Sequence, residues 1–257
     1  MVPDWEREPV ELIVLIKAAP ETGQKHGETV CVAGVDRRGH WRRLYPVPWR
    51  DLKSRQRFGR WDIIKAKWRR PTDDDRAESC RIEHRTLEIV GQVPPRERHA
   101  LANRAVVANV DQEYEAGRTL ALIRPERPRF RITKLDATGL TKEQRRRDQL
   151  VGQADLFAST VLTPHVAPYA FTYDFEHGGK HRSYRCLDWE LEATFFKWRD
   201  HYGEERALTD IRRLWGETMP TAGIAFAMGT HRVRFFKTWI LTGVIRADDL
   251  SQGALAF

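Results

Sequence analysis

The sequence predicts an α+β fold dominated by strands, made of two small β-rich units with a helical pair inserted in the second. Three observations predict it. Short runs rich in Val and Ile recur closely through the first ninety positions, separated by turn-forming residues, a spacing expected of small barrels. Apolar residues at helical spacing are clearest between residues 188 and 215, with strand-like runs on both sides. At 257 residues, 41% hydrophobic and 31% charged, the chain has the length and composition of a folded globular protein rather than a disordered one. The expected division is residues 1–135, a helical linker at 136–160, and residues 161–257.

Residues 11–17 (ELIVLIK) and 28–36 (ETVCVAGVD) read as the first two strands, joined by a turn-like KAAPETGQKHG. Arg37, Arg38 and Gly39 form a hairpin turn into a third strand at 40–45, which Pro46 and Pro48 should end because proline has no amide proton to donate. Residues 61–70 and 79–90 alternate apolar with polar positions and supply two more strands, with the acidic loop 72–76 between them. A mixed helical and loop connection follows at 94–118, then strands at 119–124 and 129–134 around the repeated Arg-Pro pairs. The charged stretch 141–153 fits an exposed helix. Beyond it come strands at 169–175 and 183–187, and a helix capped by Asp188 and ended by Gly203. A second helix at 204–215 and closing strands at 222–228 and 238–245 complete the chain.

Charge is the strongest functional signal. The chain carries +8, yet residues 37–70 alone hold thirteen Lys or Arg against only Asp51 and Asp62, leaving the remainder slightly acidic. Trp41, Tyr45, Trp49, Phe58, Trp61 and Trp68 are interleaved with those cations. Cations neutralise phosphates and release counterions, while flat rings stack on unpaired bases at about 1–3 kcal/mol each, so this mixture points to a single nucleic-acid strand held with little sequence preference. The phosphate contacts are expected from Arg42, Arg43, Arg50, Arg55, Lys65 and Lys67, and the stacking surfaces from Trp41, Trp49 and Trp61. Tryptophans packed into a core, with arginines as a solvated rim, are the plain alternative.

These residues also carry a resemblance. ETVCVAGVDRRGHWRRLYPVPWRDL, FGRWDIIKAKW, CLDWE and MGTHRVRFFKTWILTGVI resemble segments of a bacterial and phage-associated family described as dual OB-domain proteins. The resemblance implies a pair of OB-like β-barrels, and OB folds commonly bind single-stranded DNA or RNA across one sheet face and its loops. Members of that family often carry extra cysteines before the Asp-Trp-Glu segment. Here EHGGKHRSYRC keeps only Cys186, with His177 and His181, so neither a metal nor a cofactor is expected.

Two further constellations stand in the C-terminal half. Gly229, Thr230, His231 and Arg232, with Arg234 and Lys237, read as a cationic loop between apolar strands, where Arg232 and Arg234 extend the phosphate track; a solvated hairpin tip is the alternative. Asp188 and Glu190 with His231 are the candidates for catalysis, since paired carboxylates hold magnesium and histidine moves protons at neutral pH. Asp188 has a sufficient explanation as a helix cap, however, and residues two apart on a helix point in different directions. A metal-dependent nuclease is therefore the second reading, and an adaptor whose basic, aromatic face meets another protein the third. No phosphate loop, Gly-x-Ser-x-Gly elbow or His-Glu-x-x-His helix occurs in the sequence. Cys31, Cys80 and Cys186 are odd in number and widely spaced, and apolar runs are short, so a reduced cytoplasmic protein without a disulfide framework or membrane span is expected.

Overall fold

A computed structural model describes residues 8–18, 21–23, 27–141, 167–230 and 239–246. The fold is α+β and rich in strand, with one large curled sheet, two three-stranded sheets and a few helices. The curled sheet comprises β1 (Val10–Lys17), β2 (Glu21–Gly23), β3 (Gly27–Val35), β4 (Trp41–Val47), β5 (Asp62–Ala66), β6 (Trp68–Arg69), β7 (Ser79–Ile82) and β8 (Glu88–Gln92). Its order is β6-β7-β4-β3-β1-β5-β8, with β2 paired to β3. Helices α1 (Pro95–Ala105) and α2 (Val110–Glu115) lead to β9 (Leu120–Ile123) and β10 (Glu126–Lys134). Then come β11 (Tyr169–His177), β12 (Lys180–Arg185), α3 (Trp189–Tyr202), α4 (Glu204–Arg213), a π-helical turn at Leu214–Thr218, α5 (Met219–Ala222), β13 (Ile224–Thr230) and β14 (Trp239–Arg246).

β1 explains the architecture. Its Leu12 and Val14 join a cluster with Val32, Leu44, Phe58 and Ile64 inside the curled sheet, while Ile13 and Leu15 join a second cluster on the opposite side. A strand buried on both faces needs an unbroken apolar run, and LIVLI supplies it. β3 crosses β1 so closely that a Cβ on Gly34 would lie 1.9 Å from the Ile13 carbonyl oxygen, which leaves room for glycine alone.

The sheet β14-β13-β9 forms the middle layer. Along β13, Ala225 and Ala227 face the cluster of Ile13, Trp41 and Trp61, and Phe226 and Met228 face a third cluster built from β11 and from Leu191, Phe195, Ile211 and Trp215. Small residues toward one neighbour and large ones toward the other let this sheet pack tightly against both. The third sheet, β10-β11-β12, turns Tyr169, Phe171, Tyr173 and Phe175 inward at every second position. The π-helical turn packs behind it, its Trp215 carbonyl accepting from the buried Tyr173 hydroxyl at 2.8 Å.

Several expected boundaries move. β9 pairs with β13 and β10 with β11, so residues 120–134 belong with the C-terminal sheets and not with the first 135 residues. The two expected strands at 61–70 and 79–90 each break in two, because the Thr86 hydroxyl donates to the Glu83 carbonyl at 2.7 Å and accepts from the Lys67 amide at 2.9 Å, replacing ladder bonds with a 3-10 turn at His84–Thr86. β4 continues through Pro46 to Val47. Asp188 caps α3 as expected, its carboxylate accepting from the Glu190 amide at 2.9 Å, and Gly203 ends that helix at φ 96°. The expected helix at 141–153 lies outside the described residues, apart from its first position.

Candidate functional site

The cations of residues 37–70 do not share one surface. Arg37 and Arg38 stand at the β3–β4 turn, while Lys53, Arg55 and Arg57 follow the far end of β4, a seven-residue strand about 20 Å long. At the turn, Arg37 pairs with Glu11 at 3.3 Å, and Lys65 meets the same carboxylate at 3.5 Å, so one negative charge is shared between two cations. Arg42 is half-buried and donates to its neighbour's carbonyl, that of Trp41, at 3.4 Å. The side chain of Arg50 lies outside the described residues.

The far end gathers cations from three segments. Gln56, buried in the 3-10 turn Ser54–Gln56, donates through its amide nitrogen to the His84 carbonyl at 3.1 Å and the Leu87 carbonyl at 2.7 Å. The same His84–Thr86 turn is tied to Lys67 on its other side, since the Glu83 amide donates to the Lys67 carbonyl at 2.9 Å. Lys53, Arg55, Arg57, Lys67 and Arg85 are thereby brought to one end of the curled sheet, all exposed, with Asp51, Glu83 and Glu88 the carboxylates of these segments. Arg85 was not singled out by the charge run, because it sits in a stretch that reads as uninterrupted strand.

Two of the three expected stacking indoles, Trp41 and Trp61, face inward, which corrects the expectation for them. Trp41 is 9% exposed and Trp61 2% exposed, both in the cluster that joins the curled sheet to the middle layer. Burying an aromatic ring between two sheets stabilises the fold far more than leaving it in water. Trp49 is half-buried and meets Phe58 and Trp189 edge-on at 4.8 and 5.4 Å between centroids, with the Lys17 ammonium 4.7 Å above its ring. Trp68 donates its indole N–H to the Glu8 carbonyl at 3.0 Å and packs on the sheet's inner cluster.

Arg60 carries a second constellation. It lies in the turn between Phe58 and β5, where Trp61 adopts φ 70°, a left-handed conformation that is costly for a bulky residue. The turn sends the Arg60 guanidinium across to the C-terminal layer, where it donates to the Val244 carbonyl at 2.8 Å and the Glu190 carboxylate at 2.8 Å, and lies 3.5 Å from the Asp188 carboxylate. Asp188 is fully enclosed, and its second oxygen accepts from the Val244 amide at 2.7 Å. Burial raises its pKa above the ordinary carboxylate range, with Arg60 pulling the other way. Lys17, on the same crevice, has its pKa lowered, first by burial and also by Arg60. The cation between the two carboxylates is therefore the Arg60 guanidinium. Among the described residues no group of three or more His, Cys, Asp or Glu is placed to hold a metal. His231 lies outside the described residues, as do Arg232 and Arg234.

Arg43 is corrected as well. It is 3% exposed and donates to the Thr119 hydroxyl and carbonyl, both at 3.1 Å. Glu78 closes the network by accepting from the Thr119 amide at 2.7 Å and hydroxyl at 2.9 Å. Beside it Arg76 donates to the Thr230 carbonyl at 2.6 Å and pairs with Asp74 at 2.7 Å. Burial would raise the pKa of Asp74, but hydrogen bonds from Arg76 and Ser79 bring it down to about 2. Thr230 belongs to β13 and is buried, so its hydroxyl offers nothing to an outside anion. Arg43 reads as a phosphate contact in the sequence because charge there does not reveal which side of a strand meets another layer.

A family described as a domain of unknown function (DUF8758) matches residues 8–108, the curled sheet together with α1. A second, also described as a domain of unknown function (DUF8757), matches residues 100–255, which hold the middle layer, the third sheet and the helices. No curated protein matches the chain. The second match covers more than half of the sequence, and the chain belongs to the DUF8757 family, with a DUF8758 region ahead of it.

Proposed function

We propose that this chain binds nucleic acid in the cytoplasm with little sequence preference, through phosphate contacts at the far end of the curled sheet. The observation that carries this reading is the pair of hydrogen bonds from Gln56, which fixes Lys53, Arg55 and Arg57 beside Arg85, with Lys67 tied to the same turn. Exposed cations held on rigid turns neutralise a polyanion at low entropic cost, and here five cations outnumber the three carboxylates of the same segments. The curled sheet, in which β1 pairs antiparallel with both β3 and β5, supports treating the N-terminal unit as OB-like. Arg55→Glu, Arg57→Glu and Lys67→Glu together test the reading by fluorescence anisotropy with a labelled oligonucleotide. Affinity should fall steeply, and the slope of log K against log salt should flatten by about 2 to 3, close to one per phosphate contact removed. An unchanged slope would place the polyanion elsewhere or nowhere.

A further inference from the structure

We infer that the form of nucleic acid preferred by this basic end is the double helix rather than a single strand. The inference rests on the phosphate-binding reading above and sharpens it. A single strand gains on a protein surface chiefly by stacking its bases on flat rings. No indole between residues 41 and 68 stands fully exposed: Trp41 and Trp61 lie in the interlayer core, Trp49 is half-buried with its ring against Lys17, Phe58 and Trp189, and Trp68 is half-buried on the inner cluster. The large hydrophobic side chains exposed among the described residues are Ile89, Val90 and Tyr202, and the first two are aliphatic. What the end presents is charge, with Lys53, Arg55, Arg57, Lys67 and Arg85 outnumbering the carboxylates Asp51, Glu83 and Glu88.

A site made of charge alone discriminates by charge density. Duplex DNA carries one phosphate per about 1.7 Å of axis and releases about 0.9 counterion per contact, against about 0.7 for a single strand. For five contacts the two salt exponents differ by about one, so if duplex and single strand bind equally at about 1 M salt, where screening removes the ionic contribution, the duplex binds about tenfold tighter at about 0.1 M.

The test titrates the full chain with a 20-base-pair duplex and with one of its strands, each at several salt concentrations, following anisotropy of the labelled DNA and intrinsic tryptophan emission. The expected result is about tenfold tighter duplex binding, a steeper salt slope for the duplex, and tryptophan emission that changes little with either ligand. Single-strand binding as tight as duplex binding, with strong quenching, would overturn the inference while leaving phosphate binding intact. Failure of both ligands to bind at low salt would remove the inference together with the reading beneath it. Arg55→Glu with Arg57→Glu locates the effect, since duplex binding that survives both changes undiminished would show that this end is not the site.

Discussion

Arg60 is the residue on which the two halves of the molecule turn. Its guanidinium satisfies the Val244 carbonyl and the Glu190 carboxylate, and lies beside an Asp188 carboxylate shut away from water. Removing one partner of a buried pair costs more than the pair contributes, because the remaining charge stays desolvated. Arg60→Ala should therefore destabilise the protein by about 3 kcal/mol in urea unfolding, with the Asp188 pKa driven further upward. A loss below about 1 kcal/mol would mean that water reaches Asp188 and that the crevice is open. Nothing in the sequence distinguishes Arg60 from the other cations between 37 and 70, whereas Asp188 was legible as a helix cap from its place before Trp189.

At the level of elements, the short 3-10 turns matter more than the strands they interrupt. Strand-forming alternation across residues 79–90 conceals the turn at His84–Thr86, which exists because the Thr86 hydroxyl and the Gln56 amide take over backbone partners that a ladder would use. Gln56→Ala leaves the His84 and Leu87 carbonyls without that donor. The expected outcome is a loss of about 1 to 2 kcal/mol of stability together with several-fold weaker oligonucleotide binding, although Gln56 carries no charge. Stability by denaturant melt and binding by anisotropy measure the two effects, and a variant that keeps full affinity would separate the turn from the basic end. Spacing gives the inward face of the second helix, Ala207 and Ile211 along α4, and Gly203 ends α3, but α3 buries Leu191 and Phe195 rather than the row of Trp189, Ala193 and Phe196 that helical spacing also offers.

For the whole molecule, the decisive feature is that the middle sheet serves two cores at once, so the curled sheet and the C-terminal sheets share a hydrophobic interior. The buried polar network from β4 and the segment just before β7 to Thr119 and Thr230 crosses the same boundary. Its Asp74 has a native pKa of about 2, depressed from the ordinary 3.8, so the stabilisation it contributes is complete above about pH 4 and is lost as pH falls through 2. Asp74→Asn should remove that pH-dependent part. The stability gap between the natural protein and the variant should widen from pH 2 to pH 4 and then stay constant, and a gap that does not change with pH in that range would show Asp74 to be unpaired.

Periodicity, capping and composition are local properties of a chain, and they suffice for the strand-rich α+β class, the helical pair with its Asp188 cap, and the concentration of positive charge. Which side of each strand faces another layer is settled by the packing of distant segments. That choice buried Trp41, Trp61 and Arg43, set Arg60 between two carboxylates, and moved residues 120–134 into the C-terminal sheets. The physical reason is that a ring or guanidinium gains most where two elements exclude water around it, and which elements meet is fixed by pairings between residues far apart in the chain.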